Sequence, residues 1–114
     1  MDVTFKMYSS QRDLLVDDPF YRKLEEVAAL HAKKSNDYSS ATDPLANIRA
    51  SEEFGVPAWL GAMIRLNDKI TRIKSYTRNG KLSNESVRDS LIDLAVYAII
   101  ALTLWDEHET TTPV

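Results

Sequence analysis

From Pro19 onward, apolar side chains recur at steps of three and four, the period of a helix buried along one side. Phe20, Leu24, Val27 and Ala28 form one stripe, and His31 extends it as a packed, hydrogen-bonded histidine rather than a ligand. Asp18 and Pro19 open this segment as N-cap and first helical residue, and it runs to about Lys34. Asp37-Tyr38-Ser39-Ser40 breaks the pattern with turn-forming residues. Asp43-Pro44 repeats the opening device for a second, shorter helix, which Gly55 is placed to end. A third helix starts at Val56-Pro57 and carries Trp59, Leu60, Met63, Leu66, Ile70 and Ile73 on its apolar side. Asn79-Gly80 stops it, and Ser83 or Asn84 caps a last helix reaching Trp105. Only Val3-Thr4-Phe5-Lys6-Met7 alternates like a strand, and alone it predicts an extended arm. The predicted fold is all-α: a compact helical bundle of three main helices and one short one. An arm over residues 1–17 precedes a helical domain over 18–106, and a disordered tail covers 107–114.

The last helix, NESVRDSLIDLAVYAIIALTLW, is the informative one. Val87, Leu91, Leu94, Ala98, Leu102 and Trp105 fall within a sector of roughly 60–80° and are predicted as its principal core face. Asp89 and Asp93 lie on the other side with Val96, Tyr97, Ile100 and Leu104, so the side bearing the acids turns apolar within a turn. A helix apolar on all sides is normally covered on all sides. One small chain offers too little cover, so the expectation is a homo-oligomer, a dimer or higher.

The acids then stand at the rim of a buried seam. Two carboxylates about 6 Å apart repel by on the order of 3 kcal/mol at an effective dielectric near 20, and under 1 kcal/mol in water. A proton, a basic side chain or a divalent cation would neutralise them, and oxygen-only ligands suit Mg²⁺ or Mn²⁺ better than zinc. Equally, Glu85 and Asp89 serve as ordinary acids at a helix N-terminus. The third helix presents Arg65, Asp68, Lys69 and Arg72, a set able to hold phosphate oxygens or to pair among themselves on a solvated face. Lys33-Lys34-Ser35-Asn36-Asp37-Tyr38 reads as a polar helix end.

Composition narrows this by exclusion. A net charge of −3 and a pI near 5.3 argue against a nucleic-acid surface. The absence of cysteine removes disulfides, thiolate metal sites and cysteine nucleophiles. The longest apolar run, Leu94 to Leu102, is far short of the roughly 20 residues that span a bilayer. The first fifteen residues lack the apolar run of a signal peptide. A cytoplasmic protein is the expectation.

Three pieces in this order resemble small phage-type members of the MazG-like superfamily, the all-α nucleoside triphosphate pyrophosphohydrolases. They are Asn36-Asp37-Tyr38, then Asp68-Lys69-x-x-Arg72, then Asn84-Glu85-Ser86-Val87-x-Asp89-Ser90-x-x-Asp93-Leu94-Ala95-x-Tyr97. The resemblance spans roughly residues 19 to 105, and its last motif is the most specific. It implies a compact helical fold that oligomerises, as a dimer or tetramer, by packing helices into a four-helix core, and a Mg²⁺-dependent cleavage of a nucleoside triphosphate to monophosphate and pyrophosphate. Carried over, Asp68, Asp89 and Asp93 are the metal-binding and catalytic acids, with Glu85 a further metal ligand. Lys34, Lys69 and Arg72 meet phosphate, and Asn36, Asp37 and Tyr38 shape the nucleotide pocket. The better-known members carry Glu-x-x-Glu on the first metal helix and Glu-x-x-Asp on the second. Here the first helix offers one acid, Asp68, and the position three before Asp93 is Ser90. Glu85, Glu25, Glu26 or Asp37 then substitutes, or ligands are fewer. Fewer ligands leave in view a nucleotide-binding or nucleotide-sequestering protein without turnover, and the apolar helix end and N-terminal arm leave a purely structural or partner-binding helical oligomer.

Overall fold

The computed structural model of the chain describes residues 18–38, 45–81 and 86–111, with side chains to residue 34 in the first segment and residue 110 in the last. The expected arm, the Asp43-Pro44 opening, Ser83, Asn84 and Glu85 lie outside these residues. The chain divides into two units, residues 1–44 and 45–114. All described elements are helical: α1 (Pro19–Tyr38), α2 (Ala46–Arg49), a 3₁₀ turn (Ala50–Phe54), α3 (Ala58–Asn79) and α4 (Val87–Thr111). None is long and apolar enough to cross a membrane.

In the first unit, Asp18 caps α1 as its sequence position predicts. The Phe20 amide donates to Asp18 Oδ1 at 2.8 Å, and Pro19 occupies the first helical position. Leu24, Val27, Ala28 and His31 are half-buried, while Phe20 is exposed. α1 continues one turn past its expected end, so Asn36, Asp37 and Tyr38 are helical and not a turn. Three successive residues of low helix propensity mark a weak end but do not forbid one more turn.

The second unit is a helical hairpin with a short helical lead-in. Gly55, at φ 77°, ends the 3₁₀ turn, and Gly80, at φ 75°, ends α3; both stops were predicted. Pro57 stands as the N-cap of α3, one residue before the helix. Gly61 is needed for a different reason: a Cβ there would lie 2.6 Å from Ser51 Oγ and 3.2 Å from the Ile48 carbonyl oxygen. Ser51 is held in that place because its hydroxyl donates to the Val56 carbonyl at 3.0 Å. The lead-in thus lies directly on the start of α3.

α3 and α4 run antiparallel, as the Trp59–Trp105 and Lys69–Asp93 pairs require. Ala58, Ala62, Ile100, Ala101 and Leu104 form the buried core, with Leu45, Ile48, Trp59, Val96 and Tyr97 packed against it. The predicted core face of α4 is therefore the wrong one. Leu91 and Leu102 are 53% and 60% exposed, and Ala98 is exposed as well, whereas Leu104 is 2% and Ser90 0% exposed. The side bearing Asp93 faces α3. A helix apolar on all sides gives no contrast from which to choose a face. Small side chains decide instead: Ala58, Gly61 and Ala62 on α3 and Ser90 and Ala101 on α4 allow close approach. The same preference turns α3, leaving Leu60 and Met63 exposed although Leu66, Ile70 and Ile73 are half-buried as expected.

Two boundaries of α4 also differ from expectation. Its cap is Ser86: the Asp89 amide donates to Ser86 Oγ at 3.0 Å and the Ser86 amide to Asp89 Oδ2 at 3.3 Å. This is a capping box with aspartate as its acid. At the other end α4 runs through Thr111, so residues 107–111 are helix and not tail. Glu107 closes a two-toothed bridge to Arg49, 2.8 and 3.2 Å long, that ties α2 to the last turns of α4.

Candidate functional site

The α3–α4 seam is apolar at one end and polar at the other. Going from the paired tryptophans toward the connecting loop, α4 presents Leu104, Ala101, Ile100, Tyr97, Asp93 and Ser90. At Asp93 the character changes. Lys69 Nζ of α3 lies 2.9 Å from Asp93 Oδ2, and the two side chains are only 18% and 20% exposed. At an effective dielectric near 20 the attraction is about 6 kcal/mol, while withdrawing each ion from water costs several kcal/mol. The pair contributes little net stability, because the attraction and the cost of withdrawal nearly offset each other.

One turn before Asp93, on the same face, the Ser90 hydroxyl is fully buried and has no hydrogen-bond partner among the described residues. In the antiparallel register, Ser90 comes level with Arg72 and Ile73, one turn along α3 from Lys69. A buried hydroxyl without a partner costs about 1–3 kcal/mol. Its persistence one turn from a withdrawn ion pair marks this end of the seam as the place where polar chemistry was admitted between the helices.

The residues expected to act together are partly brought together. Lys69 and Asp93 meet. Asp89 stands one turn earlier, its carboxylate accepting from the Ser86 amide in the cap. Asp68 is exposed, displaced about 100° around α3 from Lys69, and Arg72 is exposed one turn on. It is Lys69, not Asp68, that α3 turns toward Asp93. Lys34 is exposed on α1, and Asn36, Asp37 and Tyr38 are backbone positions in its last turn. They belong to the first unit. Glu26, weighed as a substitute ligand, lies 3.5 Å from Lys23.

Mg²⁺ demands a near-octahedral shell of oxygens, usually one or two carboxylates with phosphates and water. Among the described residues no three acids or histidines converge on a point where a cation could sit. Asp93 already faces an ammonium and Asp89 serves the cap. The described residues alone therefore assemble no site of three or more ligands, and one or two carboxylates would need phosphate oxygens and water to complete a Mg²⁺ shell.

The opposite end of the hairpin holds a cleft that sequence reasoning passed over, of about 490 Å³, lined by Arg49, Glu52, Trp59, Glu107 and His108 among others. Glu107 and His108 were read as tail. The signal was the helical step from Leu104 and Trp105 to His108, confirmed by the Trp105–His108 ring contact at 5.8 Å. Serine-x-x-aspartate at Ser86 to Asp89 was likewise a legible capping box. No family model, no curated protein and no solved structure matches this chain.

Proposed function

We propose that this chain binds a nucleoside triphosphate, of a standard or modified base, and cleaves it to the monophosphate and pyrophosphate at the polar end of the α3–α4 seam. The observation that carries the reading is the withdrawn Lys69–Asp93 pair with the unpartnered Ser90 hydroxyl one turn away. An arriving phosphate competes for Lys69, joins Arg72 at the exposed edge, and gains charge-assisted bonds shorter and stronger than neutral ones. Asp93, released from its lysine, then becomes a carboxylate available to orient water. The order of the motifs supports the reaction type, and the exposed apolar positions Leu91, Ile99 and Leu102 support association of copies.

A second reading, nucleotide binding without turnover, is favoured by one specific observation: the described residues do not assemble a cation site. Product analysis separates the two. Incubation with a panel of ribo- and deoxyribonucleoside triphosphates, with and without Mg²⁺, is expected to yield monophosphate and pyrophosphate from at least one. Recovery of the nucleotide intact, together with saturable binding by calorimetry, establishes the second reading. No heat and no melting shift with any nucleotide removes both and leaves a helical interaction module.

A further inference from the structure

The carboxylate that should meet a metal meets an amine. We propose that the Lys69 ammonium is the resident counter-ion of Asp93 and takes the place of a divalent cation at this seam. The chain alone then holds no divalent ion through Asp93; such an ion enters only in company with a phosphate ligand. The first ground is geometry. Nζ and Oδ2 are 2.9 Å apart, the length of a charge-assisted bond, and both side chains are mostly out of water, where salt screens weakly. A cation on Asp93 would lie about 2 Å from its oxygen and within a few ångströms of the ammonium, a like-charge juxtaposition.

The second ground is what stands around the pair. The acid one turn back, Asp89, is held at the start of α4 by its bond to the Ser86 amide. Between them the seam presents the neutral, fully buried Ser90. From α3, Lys69 is followed one turn later by Ile73 and preceded by Leu66, both half-buried and neither a ligand. A lysine at position 69 sets a countercharge against the withdrawn Asp93 carboxylate, which a hydrophobic residue there would not.

The inference concerns the site proposed above but needs no nucleotide, so its test stands or falls separately. The full chain is titrated with Mn²⁺ alone, and free ion is followed by electron paramagnetic resonance. Asp93→Asn is expected to change Mn²⁺ affinity by less than about twofold, because a carboxylate that is not a ligand takes no part in coordination. Lys69→Met is expected to raise it about tenfold at low ionic strength, because Asp93, no longer facing an ammonium, becomes available as a ligand. Lys69→Arg, which keeps the charge, should match the unaltered chain. Circular dichroism checks that each variant is helical, and if Lys69→Met does not fold, the Asp93→Asn comparison decides. A loss of tenfold or more in Asp93→Asn overturns the inference, as does a folded Lys69→Met whose affinity is unchanged.

Discussion

At the scale of single residues, the chain places a few side chains where only one kind fits. Lys69 and Asp93 form a 2.9 Å pair mostly withdrawn from water, so removing either takes that contact from the other. Asp93→Ala should cost about 2–3 kcal/mol, somewhat below the usual 3–5 for a broken buried pair, since a lysine stem reaches water easily. In urea denaturation a double-mutant cycle with Lys69→Ala should show coupling of about 1 kcal/mol or more; additive single effects would mean the bridge carries nothing. Gly61 is the second such position. An alanine there meets Ser51 Oγ at 2.6 Å and the Ile48 carbonyl at 3.2 Å. The lead-in must shift, and a loss of about 1–3 kcal/mol is expected from overpacking. A melting temperature equal to the unaltered chain's would show that the close contact is not needed.

At the scale of elements, punctuation was legible and facing was not. Proline, glycine and the Asp18 cap act through local backbone geometry, which sequence exposes directly, and the stops at Gly55 and Gly80 fall where expected. Which side of α4 packs is a property of two helices together. Leu91, Leu102 and Trp105 made the better stripe, yet Ser90 and Ala101 allow the shorter interhelical distance and Asp93 finds Lys69 only on that side. A pair of leucines two residues apart tests the assignment. Leu104→Ala should cost about 2–5 kcal/mol as a buried leucine, and Leu102→Ala within about 0.5 kcal/mol in the dissociated chain at high dilution. The reverse order in chemical denaturation would mean the face is the one first predicted. The end of α4 was hidden for another reason: Glu107 and His108 look like tail until Arg49, distant in sequence, is known to reach them.

At the scale of the whole molecule, the acids on two long helices were expected to converge on one cation, and the described residues show a narrower convergence, one acid with one lysine. The motif order suggested the segment where chemistry would sit but not the partner of each acid, because partnership depends on helix rotation and on capping. The exposed apolar side of α4 has a consequence at this scale. If copies associate through it, Leu102→Glu should lower the mass seen by light scattering while leaving the helical circular dichroism signal unchanged; an unaltered mass excludes that face as the contact. Asp93, with the α3 residue Lys69 that it faces, lies on the side of α4 opposite Leu102, so association through that face and ligand binding at the seam can be tested separately.

The most direct measurement is a nucleotide titration of the unaltered chain and of Lys69→Ala, followed by thermal shift and by chromatography of the products. The account predicts that one triphosphate stabilises the unaltered chain by about 2.7 kcal/mol at a hundred times its dissociation constant, that it is recovered as monophosphate and pyrophosphate, and that Lys69→Ala loses the effect. Equal stabilisation of both proteins, or of neither, by every triphosphate tried would contradict it.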